Sequence, residues 1–153
     1  MRVTAFSIAQ RFIGIREIAD AGRNHPFIVW CFECCGFGLE TSDEIPWCAA
    51  FANRVAWLLR LPRSKSARAR SWLAVGQPVA LDEATPGWDV VVVKQAAADP
   101  GPEVPVFRGH VGFFAGLEGD SVLILGGNQG DSVSIARFPV ANVLGVRRLR
   151  EGN

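Results

Sequence analysis

The sequence has no surplus of charge of either sign and no long apolar run. Its 153 residues carry 16 Lys and Arg against 15 Asp and Glu, which gives a formal net charge of +1 at pH 7. This balance disfavours nucleic acid and anionic membranes as partners, because both attract proteins with a marked basic excess. No stretch approaches the roughly 20 apolar residues that a membrane span requires. We therefore expect neither nucleic-acid binding nor membrane insertion.

The first residues also lack the continuous apolar segment and the small-residue cleavage site of a secretory signal. We therefore expect the chain to be synthesised in the cytoplasm without a signal peptide. Its length suits one domain that buries a core without metals or disulfides. We expect residues 1–153 to form a single, monomeric domain.

Cysteine is scarce and unevenly placed, with three of the four residues crowded at Cys31, Cys34 and Cys35 and the fourth at Cys48. The crowded group could be a zinc site, but a structural zinc needs a second ligand pair, and only His25 lies nearby. A cytoplasmic origin disfavours a disulfide. Helical spacing after Asn24 favours core positions for these cysteines, so we expect no metal.

The segment from Ser42 to Leu59 predicts a helix with a cysteine near its start. Ser42 and Asp43 are typical N-cap residues, Pro46 suits the first turn, and a largely apolar run follows. Cys48 then lies where unpaired backbone N–H groups and the helix dipole lower the pKa of a thiol, and the thiolate is the nucleophilic form. The simpler interpretation is that Cys48 is a small buried apolar residue, as most free cysteines are.

Histidine is scarcer still, occurring only as His25 and His110. His110 follows Cys48 in the chain, and the polar amides Asn128 and Gln129 follow one predicted strand later. Cysteine, histidine and amide in that order indicate a nucleophile, a base and a group that orients the base. His25 precedes the cysteine and adjoins a helix start, so His110 is the favoured base. Asn128 is the favoured orienting residue, with Gln129 as its competitor and Asp131 as a possible carboxylate.

The order of the elements predicts an α+β fold. Helical patterns cover residues 3–18, a helix that starts at 24–26, the Cys48 helix and a short helix over 69–73. After Pro86 the pattern changes to β-strands, with a tight turn at Gly119-Asp120 that predicts an antiparallel hairpin. Predicted strands cover 90–93, 110–115, 121–125, 132–137 and 143–149. The expected shared core contains Trp47, Phe51, Trp57, Val91, Val93, Phe113 and Ile124.

Four motifs in this order resemble a known family. The motifs are Pro46-Trp47-Cys48-Ala49-Ala50-Phe51, Ala69-Arg70-Ser71-Trp72-Leu73, Gly109-His110-Val111-Gly112-Phe113 and Gly126-Gly127-Asn128-Gln129. Together they resemble the papain-like peptidoglycan hydrolases of the CHAP and NlpC type, in particular a compact branch common in phages and prophages. The likeness spans roughly residues 10 to 149. It implies a papain-like cysteine peptidase or amidase fold, with N-terminal helices packed on a C-terminal antiparallel sheet.

The resemblance also implies roles for single residues. Cys48, His110 and Asn128 would be catalytic, and no cofactor would be needed. Trp47 and Gln129 would adjoin the substrate, Trp72 would stack on a sugar or peptide plane, and Arg70 would pair with a carboxylate of the stem peptide. A solvated face is the alternative for Arg70, and capping is the alternative to amine binding for Asp43. The loop over 95–108 is a candidate rim or lid, or a surface loop of variable length.

Many CHAP-type relatives place an acid two residues before an asparagine in the last motif, where this chain has Gly126. That departure removes a carboxylate from the expected third position and leaves an amide in the role.

The expected function is hydrolysis of an amide bond in peptidoglycan or a muropeptide, as an N-acetylmuramoyl-L-alanine amidase or a stem or bridge endopeptidase, as in a phage or prophage lysin. The protein would act at the cell wall or periplasm after release, injection or secretion. Two alternatives are open. One is an inactive module of the same fold that binds the wall or a partner, and the other is a cysteine amidase with a non-wall substrate.

Overall fold

The computed structural model describes residues 2–20, 22–95 and 108–151. The described residues form three α-helices, α1 (Ala5–Gln10), α2 (Pro26–Glu33) and α3 (Cys48–Leu58), followed by a 3₁₀ helix over Ala69–Ala74. They also form six strands: β1 (Gln77–Val79), β2 (Asp89–Lys94), β3 (Gly109–Glu118), β4 (Ser121–Gly126), β5 (Ser134–Pro139) and β6 (Val143–Arg148). The prediction of helices followed by an antiparallel sheet is confirmed.

The six strands form one antiparallel sheet in the order β1-β6-β2-β3-β4-β5. β3 and β4 are the predicted hairpin, since Glu118 pairs with Ser121 across the Gly119-Asp120 turn. His110 lies near the start of β3 and pairs with Val93 of β2. The loop between β4 and β5 carries Asn128 and Gln129. The start of β3 and the end of β4 therefore meet at one end of the sheet.

Apolar side chains lie on both faces of the sheet, because successive side chains along a strand point to opposite faces. Val90 and Val92 of β2 pack with Phe51 and the helices in one cluster. Val91 and Val93 belong to a second cluster on the opposite face, together with Ile124. The prediction of one shared core is therefore wrong, because β2 and β4 divide their apolar residues between two layers.

The first helix is shorter than predicted. α1 ends at Gln10, not near residue 18. Gly14 has φ 98°, a left-handed conformation that ends helical spacing. The Gly14 N–H donates to the Val133 carbonyl at 3.0 Å, and the Val133 N–H donates to the Ile15 carbonyl at 2.8 Å. These hydrogen bonds hold the segment after Gly14 against the β4–β5 loop, where Arg16 forms an isolated β-bridge with Ser132. Local periodicity does not encode such a long-range interaction.

Trp57 was predicted in the core but is 46% exposed. The buried group at this position is the Arg54 guanidinium, which lies 3.9 Å from the Trp30 ring and 4.6 Å from the Trp57 ring. Arg54 also donates to the Trp30 carbonyl and forms an ion pair with Glu33. The two indoles thus cover a cation that joins α2 to α3.

The crowded cysteines lie on and after α2. Cys31 is buried in the core as predicted, whereas Cys34 and Cys35 are half-buried, and all four cysteines are free thiols. Within residues 2–20, 22–95 and 108–151, no group of His, Cys, Asp and Glu could hold a metal ion. No helix among the same residues is long and apolar enough to span a membrane. Residues 96–107, most of the predicted rim or lid, lie outside the described residues.

Candidate active site

Cys48 is the first residue of α3. The helix therefore begins later than predicted, with Trp47 as its N-cap and no side chain bonded to its first N–H groups. Ser42 and Asp43 do not cap it, because Ser42 Oγ accepts from the Glu44 N–H at 3.1 Å and the Asp43 carboxylate is used elsewhere. The first N–H groups of a helix have no intrahelical acceptor. The sulfur of Cys48 thus lies among donors that can stabilise negative charge.

His110 meets Cys48 from β3. Its side chain is buried, and the imidazole lies beside the Cys48 thiol, close enough for each group to shift the pKa of the other. The ring stacks on Phe138 of β5, with centroids 4.9 Å apart and planes inclined by 19°. Packing on one face and the contact with Gln129 at the ring edge leave the imidazole little freedom to rotate.

Gln129, not Asn128, contacts the histidine. Its Oε1 lies 2.8 Å from His110 Nε2. The prediction for Asn128 is wrong in this respect: Asn128 has φ 59°, and no hydrogen bond joins it to His110 in the part of the chain that the structure describes. The left-handed residue at 128 lets the chain turn so that the next side chain faces the ring.

The orientation of the Gln129 amide determines the histidine tautomer. Its Nε2 donates to the Ile124 carbonyl at 3.1 Å and to the Ser134 carbonyl at 2.7 Å. Both partners can only accept, so the amide NH₂ must face them and Oε1 must face the ring. An amide oxygen also only accepts, so His110 Nε2 carries a hydrogen. That leaves Nδ1 as the ring nitrogen that exchanges a proton with Cys48.

Two glycines make room for this arrangement. A Cβ at Gly126 would lie 2.6 Å from Gln129 Oε1 and 3.3 Å from His110 Nε2. A Cβ at Gly127 would lie 2.6 Å from the Trp47 ring. The Gln129 amide occupies the space beside Gly126, so this amide and a larger side chain at residue 126 would compete for the same volume.

The pair is electrostatically coupled. Burial raises the pKa of the Cys48 thiol, but the neighbouring His110 side chain and the backbone N–H groups of Val111 and Ala49 outweigh burial and lower that pKa overall. Burial lowers the pKa of His110, but Cys48 and Gln129 outweigh it and raise that pKa overall. Both directions favour a thiolate beside an imidazolium.

The pKa values of the other three cysteines are shifted in the opposite direction, upward. Burial raises the pKa of Cys34, and it raises the pKa of Cys35 to about 11. Cys31 is shifted in the same direction by the same cause. Cys48 is therefore the cysteine that the protein environment activates.

The sulfur is reached through a surface groove of about 380 Å³. The groove is lined by Pro46, Cys48, Ala67, Arg68, Ala69, Gln95, Arg108 and Gly109. A second cavity of about 430 Å³ adjoins the far side of His110, between Asn128, Gln129 and Phe138. Cys48 itself is 5% exposed, so only a small part of the side chain faces the groove.

This fold has a counterpart among solved structures. The chain is similar to NlpC1 from Trichomonas vaginalis, with a TM-score of 0.52 and 16% sequence identity over 95% of this chain. It covers 42% of the length of the NlpC1 chain. At this identity the likeness concerns the fold alone. No protein-family model matches the sequence, and no curated protein matches it.

Trp47 and Trp72 were predicted to contact substrate, but both side chains are fully buried. Trp47 Nε1 donates to Glu17 Oε1 at 2.7 Å, and this hydrogen bond ties the N-cap residue of α3 to the segment that follows α1. Trp72 packs in the cluster between the helices and the sheet. Neither indole has a face open to a sugar or peptide plane, so these two predictions are wrong.

The predictions for Asp43 and Arg70 are also corrected. Asp43 is fully buried, and its Oδ2 accepts from the Ile18 and His25 N–H groups at 3.0 and 2.9 Å. It therefore joins three segments and does not bind an amine. Arg70 is 2% exposed, and its Nη2 donates to the Arg108 carbonyl at 2.9 Å. His25 is scaffold as predicted, since its Nδ1 accepts from the Phe27 N–H at the start of α2.

Phe138 could not be predicted from the sequence as a partner of the His110 ring. Phe138 lies on β5, and only the sheet order, with β5 beside β4 and β4 beside β3, brings it to His110. Glu17 contacts Trp47, the N-cap residue of α3, and not Cys48 or His110.

Proposed function

We propose that this chain is a papain-like cysteine hydrolase that cleaves an amide bond of peptidoglycan. The observation that supports this most strongly is the coupled pair of Cys48 and His110, held by Gln129 at the edge of a groove. The similarity to the NlpC1 fold and the four sequence motifs agree with this proposal. The arrangement supplies a nucleophile, a proton carrier and an orienting group in one buried unit.

The reaction would begin with attack by the Cys48 thiolate on the carbonyl carbon of the substrate amide. A C–S bond forms, and the carbonyl electron pair moves onto oxygen. His110 then donates the Nδ1 proton to the leaving nitrogen, the C–N bond breaks, and a thioester is left on Cys48. A water molecule attacks the thioester while His110 takes its proton. Expulsion of the thiolate restores the starting pair.

Backbone N–H groups at the start of α3 would stabilise the oxyanion. The Cys48 N–H is at the first helical position and has no intrahelical acceptor. Donors placed where charge develops contribute about 2.7–4 kcal/mol to catalysis in proteases. Ser42 is the weaker candidate, because its Oγ already accepts from the Glu44 N–H.

The direct test is release of soluble fragments from isolated cell walls. We expect the wild-type protein to release them and Cys48→Ala to lose all measurable release. Cys34→Ala is the matched control, since Cys34 is a half-buried thiol outside the site and should leave release unchanged. Equal release by wild type and Cys48→Ala would disprove the proposal.

The proposal includes the finer expectations of a muramoyl-alanine amidase or a stem or bridge endopeptidase, and of a lysin of phage or prophage origin acting at the wall after release, injection or secretion. They are supported by the resemblance of the sequence motifs. Mass spectrometry of digested muropeptides identifies the bond. Faster cleavage of a protein substrate than of muropeptides would assign the enzyme to a non-wall amide instead.

A further inference from the structure

We propose that Arg68 and Arg108 form a carboxylate-selecting subsite beside Cys48, so that the preferred substrates carry a carboxylate next to the amide that is cleaved. This inference rests on the proposed function and names a substrate feature for the same site. It replaces Arg70, which is buried, with two arginines that face the groove.

Both arginines line the groove that contains Cys48. Both are exposed, and neither guanidinium has a hydrogen bond or ion pair with any other described residue. The described lining of the groove contains these two cations and no carboxylate. With a net charge of only +1 over the whole chain, this local positive field is a property of the groove and not of the overall composition.

The backbones of the two arginines are anchored even though their side chains are not. The Arg68 N–H donates to Ser66 Oγ at 3.2 Å, and its carbonyl accepts from Ser71 Oγ at 2.6 Å. The Arg108 carbonyl accepts from the Arg70 guanidinium, which fixes the residue just before β3 begins. The subsite therefore has fixed backbone positions and exposed guanidinium groups that are available to an anion on a flexible substrate.

A guanidinium can form two parallel hydrogen bonds to one carboxylate, which gives orientation as well as attraction. The two arginines flank Cys48 from different elements, one from the segment before the 3₁₀ helix and one from the start of β3. A carboxylate held between them would place the adjoining amide at the sulfur. Exposed cations contribute modestly, so each should give about two- to five-fold selectivity, and salt should weaken it.

Alkylation of Cys48 tests the subsite without requiring hydrolysis. Iodoacetate and iodoacetamide react alike, since the thiolate sulfur forms a bond to carbon and iodide leaves, but only iodoacetate carries a carboxylate. The measurement is the ratio of the two rates at Cys48, resolved from the other cysteines by peptide mass spectrometry. Cys34 and Cys35 should react slowly, because burial raises their pKa values.

We expect the iodoacetate-to-iodoacetamide ratio to fall about two- to five-fold in Arg68→Gln and in Arg108→Gln, and further in the double variant. Arg60→Gln is the matched control, an exposed arginine beyond the opposite end of α3 that should leave the ratio unchanged. The differences between variants should shrink in 1 M salt, where screening acts over about 3 Å. His110 also attracts iodoacetate, but it is common to all variants.

An unchanged ratio in both arginine variants would overturn the subsite. A fall in only one variant would overturn the paired assignment and leave the role to that arginine. A fall in Arg60→Gln of the same size would show a general surface effect and also overturn it. These outcomes are independent of the cell-wall test, so an inactive protein with the expected ratios would disprove the proposed hydrolysis, and an active one without them would disprove the subsite alone.

Discussion

At the scale of single residues, the Gln129 amide is fixed by three polar partners. Its oxygen faces His110 Nε2, and its nitrogen donates to the Ile124 and Ser134 carbonyls. A side chain held in this way cannot reverse its amide without losing two hydrogen bonds. The tautomer of His110 therefore follows from backbone carbonyls that lie outside the reacting group.

Replacing Gln129 with Ala should lower wall hydrolysis between about 10-fold and the roughly 10⁴-fold loss that a wrong histidine tautomer causes in a serine triad. Asn128→Gly keeps the left-handed backbone that turns Gln129 toward the ring, and it should change the rate less than about threefold, because the Asn128 side chain does not bond to the ring. Fragment release from cell walls measures both. A larger loss in Asn128→Gly than in Gln129→Ala would reverse the assignment.

Gly126→Ala should disturb the same contact from the other side. The added Cβ would lie 2.6 Å from Gln129 Oε1, and the amide cannot retreat without leaving its carbonyl partners. We expect wall hydrolysis to fall at least about tenfold in a protein that still folds. The control is Gly119→Asn, at a hairpin tip with nothing within 4 Å of the added carbon and a φ of 58° that Asn tolerates. Equal activity of these two variants would count against the role of the Gly126 space.

At the scale of secondary-structure elements, α3 carries the candidate nucleophile and a buried structural cation at separate positions. Cys48 begins the helix, and Arg54 is buried six residues later between Trp30 and Trp57. At 1.5 Å per residue the two positions are about 9 Å apart along the axis. Changes at Arg54 should therefore affect how α2 and α3 pack and leave the chemistry of the sulfur alone.

Arg54→Met should lower the free energy of unfolding by about 1–3 kcal/mol, since the Trp30 carbonyl loses its donor and the two rings lose the cation. Glu33 is largely exposed and stays solvated, which limits the loss. Urea denaturation measures the change, and Arg60→Met, at an exposed arginine, should stay within about 0.5 kcal/mol of wild type. Equal stability of the two variants would show that the buried cation contributes nothing to the contact between α2 and α3.

At the scale of the whole molecule, the features set by local sequence patterns could be predicted, and those set by long-range contacts could not. The start of the Cys48 helix, the β3–β4 hairpin and the alternation of β2 are local patterns, and each appears within a few residues of its predicted place. The short strand β1 contains Pro78 and only three residues, too few for alternation to be visible. α1 was predicted too long because Gly14 and Ile15 bond to Val133, more than a hundred residues away.

The residues of the candidate site show the same difference between local patterns and effects of the folded structure. Cys48 and His110 stand out in the sequence because each lies at the start of an element with a clear local pattern. The structure brings the two side chains together, and their catalytic roles stay a prediction. The choice between Asn128 and Gln129 could not, because a left-handed φ of 59° at residue 128 decides which side chain turns toward the ring. Trp47 and Trp72 lie in two of the four motifs, but motif position carries no information on burial, and both are core residues.

The proposed chemistry requires Cys48 and His110 to form a thiolate–imidazolium pair. This pair is tested most directly by the pH dependence of Cys48 alkylation by iodoacetamide in wild type and in His110→Ala. The pKa of Cys48 is lowered, so the thiolate persists as pH falls below the ordinary thiol range, and the wild-type rate should begin to fall only below a pH of about 8.5. In His110→Ala, where burial is no longer opposed by the imidazolium, the inflection should move to or above that value. The same inflection at or above the ordinary thiol pKa in both proteins would contradict the pair.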